Sequence, residues 1–186
     1  MNTPTITTLT DGRLRLRRLD PTDVDVLFEG VRASIPALSM WMPWATEAYS
    51  REHACQFVCT TWLSWERGVA FEFLIEDAET GRFLGMCGLN GVDPTDGRAN
   101  LGYWVRTDAA GQGVCTAAAR LVARFGFEHL GLRRIRLFHA VGNHGSRRVA
   151  EKVGFVLEAT QRKRTLLRGE MRDVKLYSLV DVSEVL

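Results

Sequence analysis

Long apolar runs are missing from this sequence. No stretch approaches the ~18 apolar residues of a membrane span, and no apolar segment follows a basic one near the N-terminus. The expectation is a cytoplasmic protein with no membrane partner. Cysteine is sparse: Cys55, Cys59, Cys87 and Cys115 are too few and too unpatterned for a disulfide framework in a chain able to bury a core. Cys55 and Cys59 stand four apart near His53, but a second ligand pair is missing, so no metal is expected and the thiols read as packing residues. Net charge is small too. A formal net charge of +2 implies neither a nucleic-acid binder nor a membrane-surface protein. No repeat, linker or low-complexity tract breaks the chain, so residues 1–186 are expected to form one domain.

The charge that is present is unevenly placed. Residues 1–100 carry 9 Lys/Arg and 14 Asp/Glu, whereas residues 101–186 carry 15 and 8. An acidic front and a basic back can hold a cation with one half and a polyanion with the other. Residues 13–18 alternate Leu and Arg, the period of a half-buried strand. Asp20-Pro21 opens a helix to about residue 34, and Ser50 caps a second one with Ala54, Phe57, Val58, Trp62 and Trp65 assigned to its apolar face. Between them, residues 35–49 read as an aromatic loop. Strands are predicted over 70–76, 83–92, 99–106 and 133–141, with a closing pair at 155–160 and 172–180. A helix follows Gly113, and a short one covers 145–153. The pattern is α+β.

Two segments carry chemistry. Residues 104–118, WVRTDAAGQGVCTAA, run from a strand through Gly-x-Gly into a helix, whose unpaired first-turn amides suit a phosphate. The loop has neither the third glycine of a dinucleotide fingerprint nor the Gly-Lys-Ser/Thr of a P-loop, so alone it is equally a structural turn. The second segment is residues 143–155, NHGSRRVAEKVGF. It resembles the N-x-x-S-x-x-V-x-x-K-x-G-F motif of GNAT acetyltransferases, one strand after a glycine loop as in that superfamily. Residues 102–105 (GYWV) and 172–179 (RDVKLYSL) look like its RimJ and RimL branch, which acetylates ribosomal-protein N-termini. The likeness extends over about residues 11–180.

What the resemblance implies is specific. The fold would be a mostly antiparallel twisted sheet of about seven strands flanked by about four helices, with a strand pair splayed at the CoA site. Acetyl-CoA would be the co-substrate. Its pyrophosphate would lie on Gly111, Gln112, Gly113, Val114, Cys115 and Thr116, and its pantetheine along Trp104 and Val105 and against Asn143. Ser146 would stand near the thioester sulfur as the acid for the leaving thiolate, and a backbone amide near Val105 would stabilise the oxyanion. Read without the motif, Asn143 and Ser146 are a helix-capping pair.

Two positions depart from the pattern. Asp108 stands where the loop motif often has Gln or Arg, and Thr165 where RimL-type enzymes place the glutamate that activates the amine. Glu158, Glu170 and Asp173 lie nearby, and the base is left unassigned. Trp41 and Trp44, in a Pro-flanked loop, are candidates for the acceptor cleft. The acceptor is expected to be a protein N-terminus. Small amines such as antibiotics or polyamines, a longer acyl donor such as succinyl-CoA, and a non-catalytic CoA-binding module remain the rival readings, and homodimerisation is left open. The basic cluster Arg162, Lys163, Arg164 and Arg168 lacks interleaved aromatics and reads as a solvated face rather than a nucleic-acid site.

Overall fold

The computed structural model describes residues 6–186. The Leu/Arg alternation does what a period of two dictates: in β2 (Leu14–Arg18) Leu14 and Leu16 are fully buried, while Arg15 and Arg17 project from the opposite face. Both arginines bind the buried Glu76, and Arg17 also forks onto the buried Asp23 at 2.7 Å, so neither acid is left alone. A short β1 (Thr8–Thr10) precedes this strand. Asp20 and Asp23 form a reciprocal capping box across Pro21, which leads into α1 (Val24–Arg32).

The segment expected to be a loop contains one helical turn, α2 (Ile35–Leu38). Next comes α3 (Arg51–Glu66), where the Ser50 amide donates to His53 Nδ1 at 3.1 Å. Its buried stripe is Ala54, Val58, Thr61 and Trp65. Phe57 and Trp62, assigned to that stripe from the sequence, are 39% exposed. They fall about 100° off the line i, i+4, i+7, i+11, and Trp62 instead stacks under the Arg18 guanidinium at 3.8 Å. Cys55 and Cys59 are exposed on the same helix rather than packed inside.

The remaining elements are β3 (Ala70–Asp77), β4 (Phe83–Asp93), β5 (Arg98–Val105), α4 (Val114–Leu130), β6 (Arg134–Ala140), α5 (His144–Val153), β7 (Val156–Leu167) and β8 (Glu170–Leu179). They form one sheet in the order β1-β2-β3-β4-β5-β6-β8-β7. Among the described residues the sheet has eight strands and the fold five α-helices, against the seven and four expected. β1 and α2 make the difference, being too short to show a period.

Every strand pair among the described residues is antiparallel except β5 with β6, which α4 joins as a crossover. That parallel pair is short: Arg98, Ala99 and Asn100 face Arg134, Ile135 and Arg136, and beyond Asn100 the strands part. Gly126 lets α4 press onto the sheet near the paired end, where a Cβ would sit 2.9 Å from Ile135 Cδ1 and 3.0 Å from Leu89 Cδ1. The N-terminal end of α4 stands over the gap. On the α4 side of the sheet, Phe71, Phe73, Leu89 and Leu101 pack with Trp65 and Phe125. On the other side, Leu74, Met86 and Trp104 pack beneath α1 and α3.

Candidate active site

Where β5 and β6 diverge, a cleft of about 870 Å³ opens. Trp104 and Val105 border it from β5, Gly111, Gly113, Val114, Cys115 and Thr116 from the loop and first turn of α4, and Asn143 and Ser146 from the start of α5. Trp41 lines it too. Gln112 does not: it is exposed, its side-chain amide folded back onto the Asp108 carbonyl at 2.9 Å. Trp44 belongs to a neighbouring cavity described below.

Gly111 and Gly113 have φ of 76° and 80°, left-handed values that glycine adopts without steric cost. Gly113 is the N-cap of α4 and no side chain caps that end, so the first-turn amides and the positive end of the helix dipole are left for a ligand. Arg13 fastens the loop from outside, donating to the Gln112 carbonyl at 2.9 Å. Asp108 is no obstacle to an anion. It is not a lining residue, and Arg106 and Arg82 hold its carboxyl down at about 2. The charged side chains that line the cleft among the described residues are Arg148, Lys152 and Arg164, with no carboxylate. The site therefore suits a polyanion with a long neutral arm, which is the shape of CoA.

Asn143 does cap α5, its Oδ1 accepting the Ser146 amide at 3.0 Å, which leaves the Asn143 side-chain NH₂ for other partners. Ser146 Oγ lies 2.7 Å from Tyr103 Oη. Burial pushes the Tyr103 phenol well above its ordinary pKa, so it stays protonated and available as a donor. Nothing in the sequence pattern singles out Tyr103, because its partner lies 43 positions away. Arg106 N–H donates to the Leu84 carbonyl at 2.8 Å. By strand alternation the amides of Tyr103 and Val105 then face the parted edge and are left without a strand partner there. Cys115 is no nucleophile here, since burial pushes its thiol up to about 12 and the thiolate is scarce at neutral pH. Thr165 also lines the cleft.

A second cavity, of about 400 Å³, abuts the first across β5 and shares Met42, Gly102, Tyr103 and Trp104 with it. Its walls are aromatic and aliphatic: Trp44, Tyr49, Phe57, Leu27, Val31 and Met86. Trp44 meets Trp104 edge-on with centroids 6.3 Å apart. One carboxylic acid enters it, Glu72 of β3. Burial raises this carboxyl to about 7, against the lowering effect of a hydrogen bond from Asn90. In the sequence Glu72 looks like the polar partner of an alternating strand. Only the pairing of three strands reveals where it points.

The chain from residue 13 to 156 matches the family described as "Acetyltransferase (GNAT) domain". It belongs to the GNAT acetyltransferase family. Membership makes the chain an N-acetyltransferase that binds acetyl-CoA as its acetyl donor. Among curated GNAT relatives, an uncharacterized N-acetyltransferase, p20 of Bacillus licheniformis, is 31% identical over 176 residues, covering 93% of this chain and 96% of that one. The ribosomal-protein-serine acetyltransferase of Escherichia coli (strain K12) is 25% identical over 167 residues, covering 90% and 92%. Among solved GNAT structures, RimL, a ribosomal L7/L12 alpha-N-protein acetyltransferase in complex with coenzyme A, superimposes with a TM-score of 0.85. It is 26% identical, and the alignment covers 97% of this chain and 98% of RimL.

Proposed function

We propose that the protein acts as a single catalytic domain in the cytoplasm and moves the acetyl group of acetyl-CoA onto the N-terminal α-amine of a protein of the ribosomal type. The observation that carries this reading is the pair of abutting cavities of opposite character: a cleft lined by Arg148, Lys152 and Arg164, and an aromatic cavity holding Glu72. A phosphate-bearing donor suits the first and a cationic acceptor the second. The reactants meet across β5 at Gly102–Trp104, in a ternary complex with no covalent enzyme intermediate. In this reading Gly111 to Thr116 hold the pyrophosphate and Arg148 and Lys152 the other phosphates. Asn143 steadies the pantetheine, and the Val105 amide receives the oxyanion. Ser146, backed by Tyr103, returns a proton to the thiolate.

The α-amine is favoured over lysine on proton grounds. A peptide α-amine has a pKa of ~7.7–8.0 and a lysine side chain ~10.4. At pH 7.5 roughly a third of the former is neutral, against about one part in a thousand of the latter. A carboxyl at about 7 can take a proton from an α-ammonium almost without cost, but only steeply uphill from lysine. Incubation with acetyl-CoA and ribosomal-protein N-terminal peptides should therefore release thiol and place the acetyl group on the first residue, as read by fragment mass spectrometry. Acetyl groups found mainly on internal lysines, or turnover confined to polyamines or aminoglycosides, would defeat the reading. So would acetyl-CoA binding without turnover of any amine.

A further inference from the structure

Glu72, Gly88 and Gly102 lie in one row across β3, β4 and β5 and project to the same face of the sheet. Adjacent strands are about 4.8 Å apart, so a glutamate reaching from β3 to the edge of β5 must pass over β4. It can do so here because β4 presents a glycine: a Cβ on Gly88 would fall 2.2 Å from Glu72 Oε2. Gly102 leaves the next place in the row open too. Its ideal Cβ would have only Asn90 Nδ2, at 3.5 Å, within 4 Å. The next row, Ala70, Asn90 and Asn100, steers the carboxyl. Asn100 Nδ2 donates to Asn90 Oδ1 at 3.1 Å, which orients the Asn90 NH₂ toward Glu72. Asn100 is also the last residue of β5 to pair with β6, and it lines the CoA cleft. A carboxyl anchored on the third strand thus lies over β4, inside the cavity that shares Gly102, Tyr103 and Trp104 with the CoA cleft.

We propose that Glu72 is the catalytic base, and that the aromatic cavity around it seats the ammonium end of the acceptor. The proposal rests on the acetyl-transfer reading above and supplies the group that Thr165 cannot provide. Glu72 carboxylate takes one proton from R–NH₃⁺, leaving R–NH₂, whose lone pair forms the N–C bond to the thioester carbonyl. The C–S bond then breaks, and the thiolate receives the remaining surplus proton by way of Ser146 and Tyr103. Glu72 releases its proton to solvent as the products leave. The cavity favours a cation for two reasons: its aromatic faces attract one, and no lysine or arginine lines it among the described residues. The titratable groups that line the cavity with Glu72 are Tyr49 before α3 and His53 of α3, while Cys87 and its cross-strand partner Tyr103 project from the far face of the sheet and α1 contributes only Leu27 and Val31.

The pH dependence has a definite sign. A base with its pKa raised to about 7 works in its ionised form, so kcat/KM for a peptide should rise as pH increases through about 7. In Glu72→Gln only the already neutral amine reacts, and the rise should move up to the acceptor's own ~7.7–8.0. The deficit of the variant should be on the order of a hundredfold near pH 6.5, within the range of positioned bases, and shrink to a few-fold near pH 9. Binding of acetyl-CoA, by calorimetry, should be unchanged. Glu72→Asp, whose shorter carboxyl recedes over Gly88, should fall between the two. A uniform loss at every pH, or a wild-type profile in Glu72→Gln while wild-type enzyme acetylates the peptide α-amine, overturns the assignment of Glu72 alone. Failure of the wild-type enzyme to release thiol with any peptide amine overturns the underlying reading as well.

Discussion

Gly113→Asp should abolish acetyl-CoA binding in a protein that still folds. The substitution places a carboxylate at the N-cap of α4, where the uncapped first-turn amides point. There is room for it, the nearest atom to a new Cβ being Arg13 Nη1 at 3.9 Å. The left-handed φ of 80° costs a non-glycine residue about 1–2 kcal/mol. The new side chain recovers only about a few tenths of a kcal/mol by capping the helix itself, because glycine is already a fair N-cap. Net stability should therefore fall by about 1–2 kcal/mol, which leaves a domain with the usual 5–15 kcal/mol folded. Binding should be lost, because the carboxylate takes the donors that a pyrophosphate would use and repels whatever phosphate remains nearby. Affinity measured by calorimetry should drop by on the order of 10²-fold or more, the worth of two charge-assisted hydrogen bonds. A folded variant that binds CoA as wild type would remove the loop from the site.

Ser146→Ala should act on turnover instead. The thiol of CoA resembles a free thiol of pKa ~8.5, so its thiolate is a moderately good leaving group, and assistance is useful but bounded. A loss of kcat of about 10²-fold or somewhat more is expected, within the 10²–10⁴ typical of positioned acids, with the KM for acetyl-CoA changed only a few-fold. The 2.7 Å contact with Tyr103 adds a second test. If the two hydroxyls pass one proton, Tyr103→Phe should cost activity in the wild-type background and little more in Ser146→Ala, because residues on one path are not additive. Wild-type kcat in Ser146→Ala would leave that hydroxyl with a packing role only.

Much of this site is legible in the order of the residues alone. The glycine loop and the NHGS block are local patterns, and local patterns survive in one dimension. The cleft accordingly contains Gly111 to Thr116, Gln112 excepted, together with Asn143 and Ser146. The charge asymmetry also finds its geometry. Arg148, Lys152 and Arg164 of the basic back half line the larger cleft, while Glu72 of the acidic front half enters the other cavity. What one dimension hides is lateral. Glu72 matters because Gly88 and Gly102 are its neighbours across two strand pairings, and nothing in AFEFLIE announces which strand will lie beside it. Trp41 and Trp44, three residues apart in one loop, part company for the same reason, one entering each cavity. Trp62 departs from expectation by less, a helical position one step off the buried line.

The three-residue pairing of β5 with β6 makes this sheet two half-sheets, β1 to β5 and β6 to β8, joined along a short seam below an open gap. Strands that part leave backbone donors and acceptors along both inner edges, and in water these exchange freely with solvent. A pantetheine arm, with its two amides, is chemically a piece of extended backbone, and within the gap it would serve as a ninth, non-protein strand. Donor affinity and mechanical cohesion are then one quantity seen from two directions. At a donor concentration a hundred times Kd, mass action adds about 2.7 kcal/mol to the folded state, and a ligand lying between the two half-sheets ties that gain to their cohesion. The donor-bound protein should accordingly resist unfolding by that margin more than the free one.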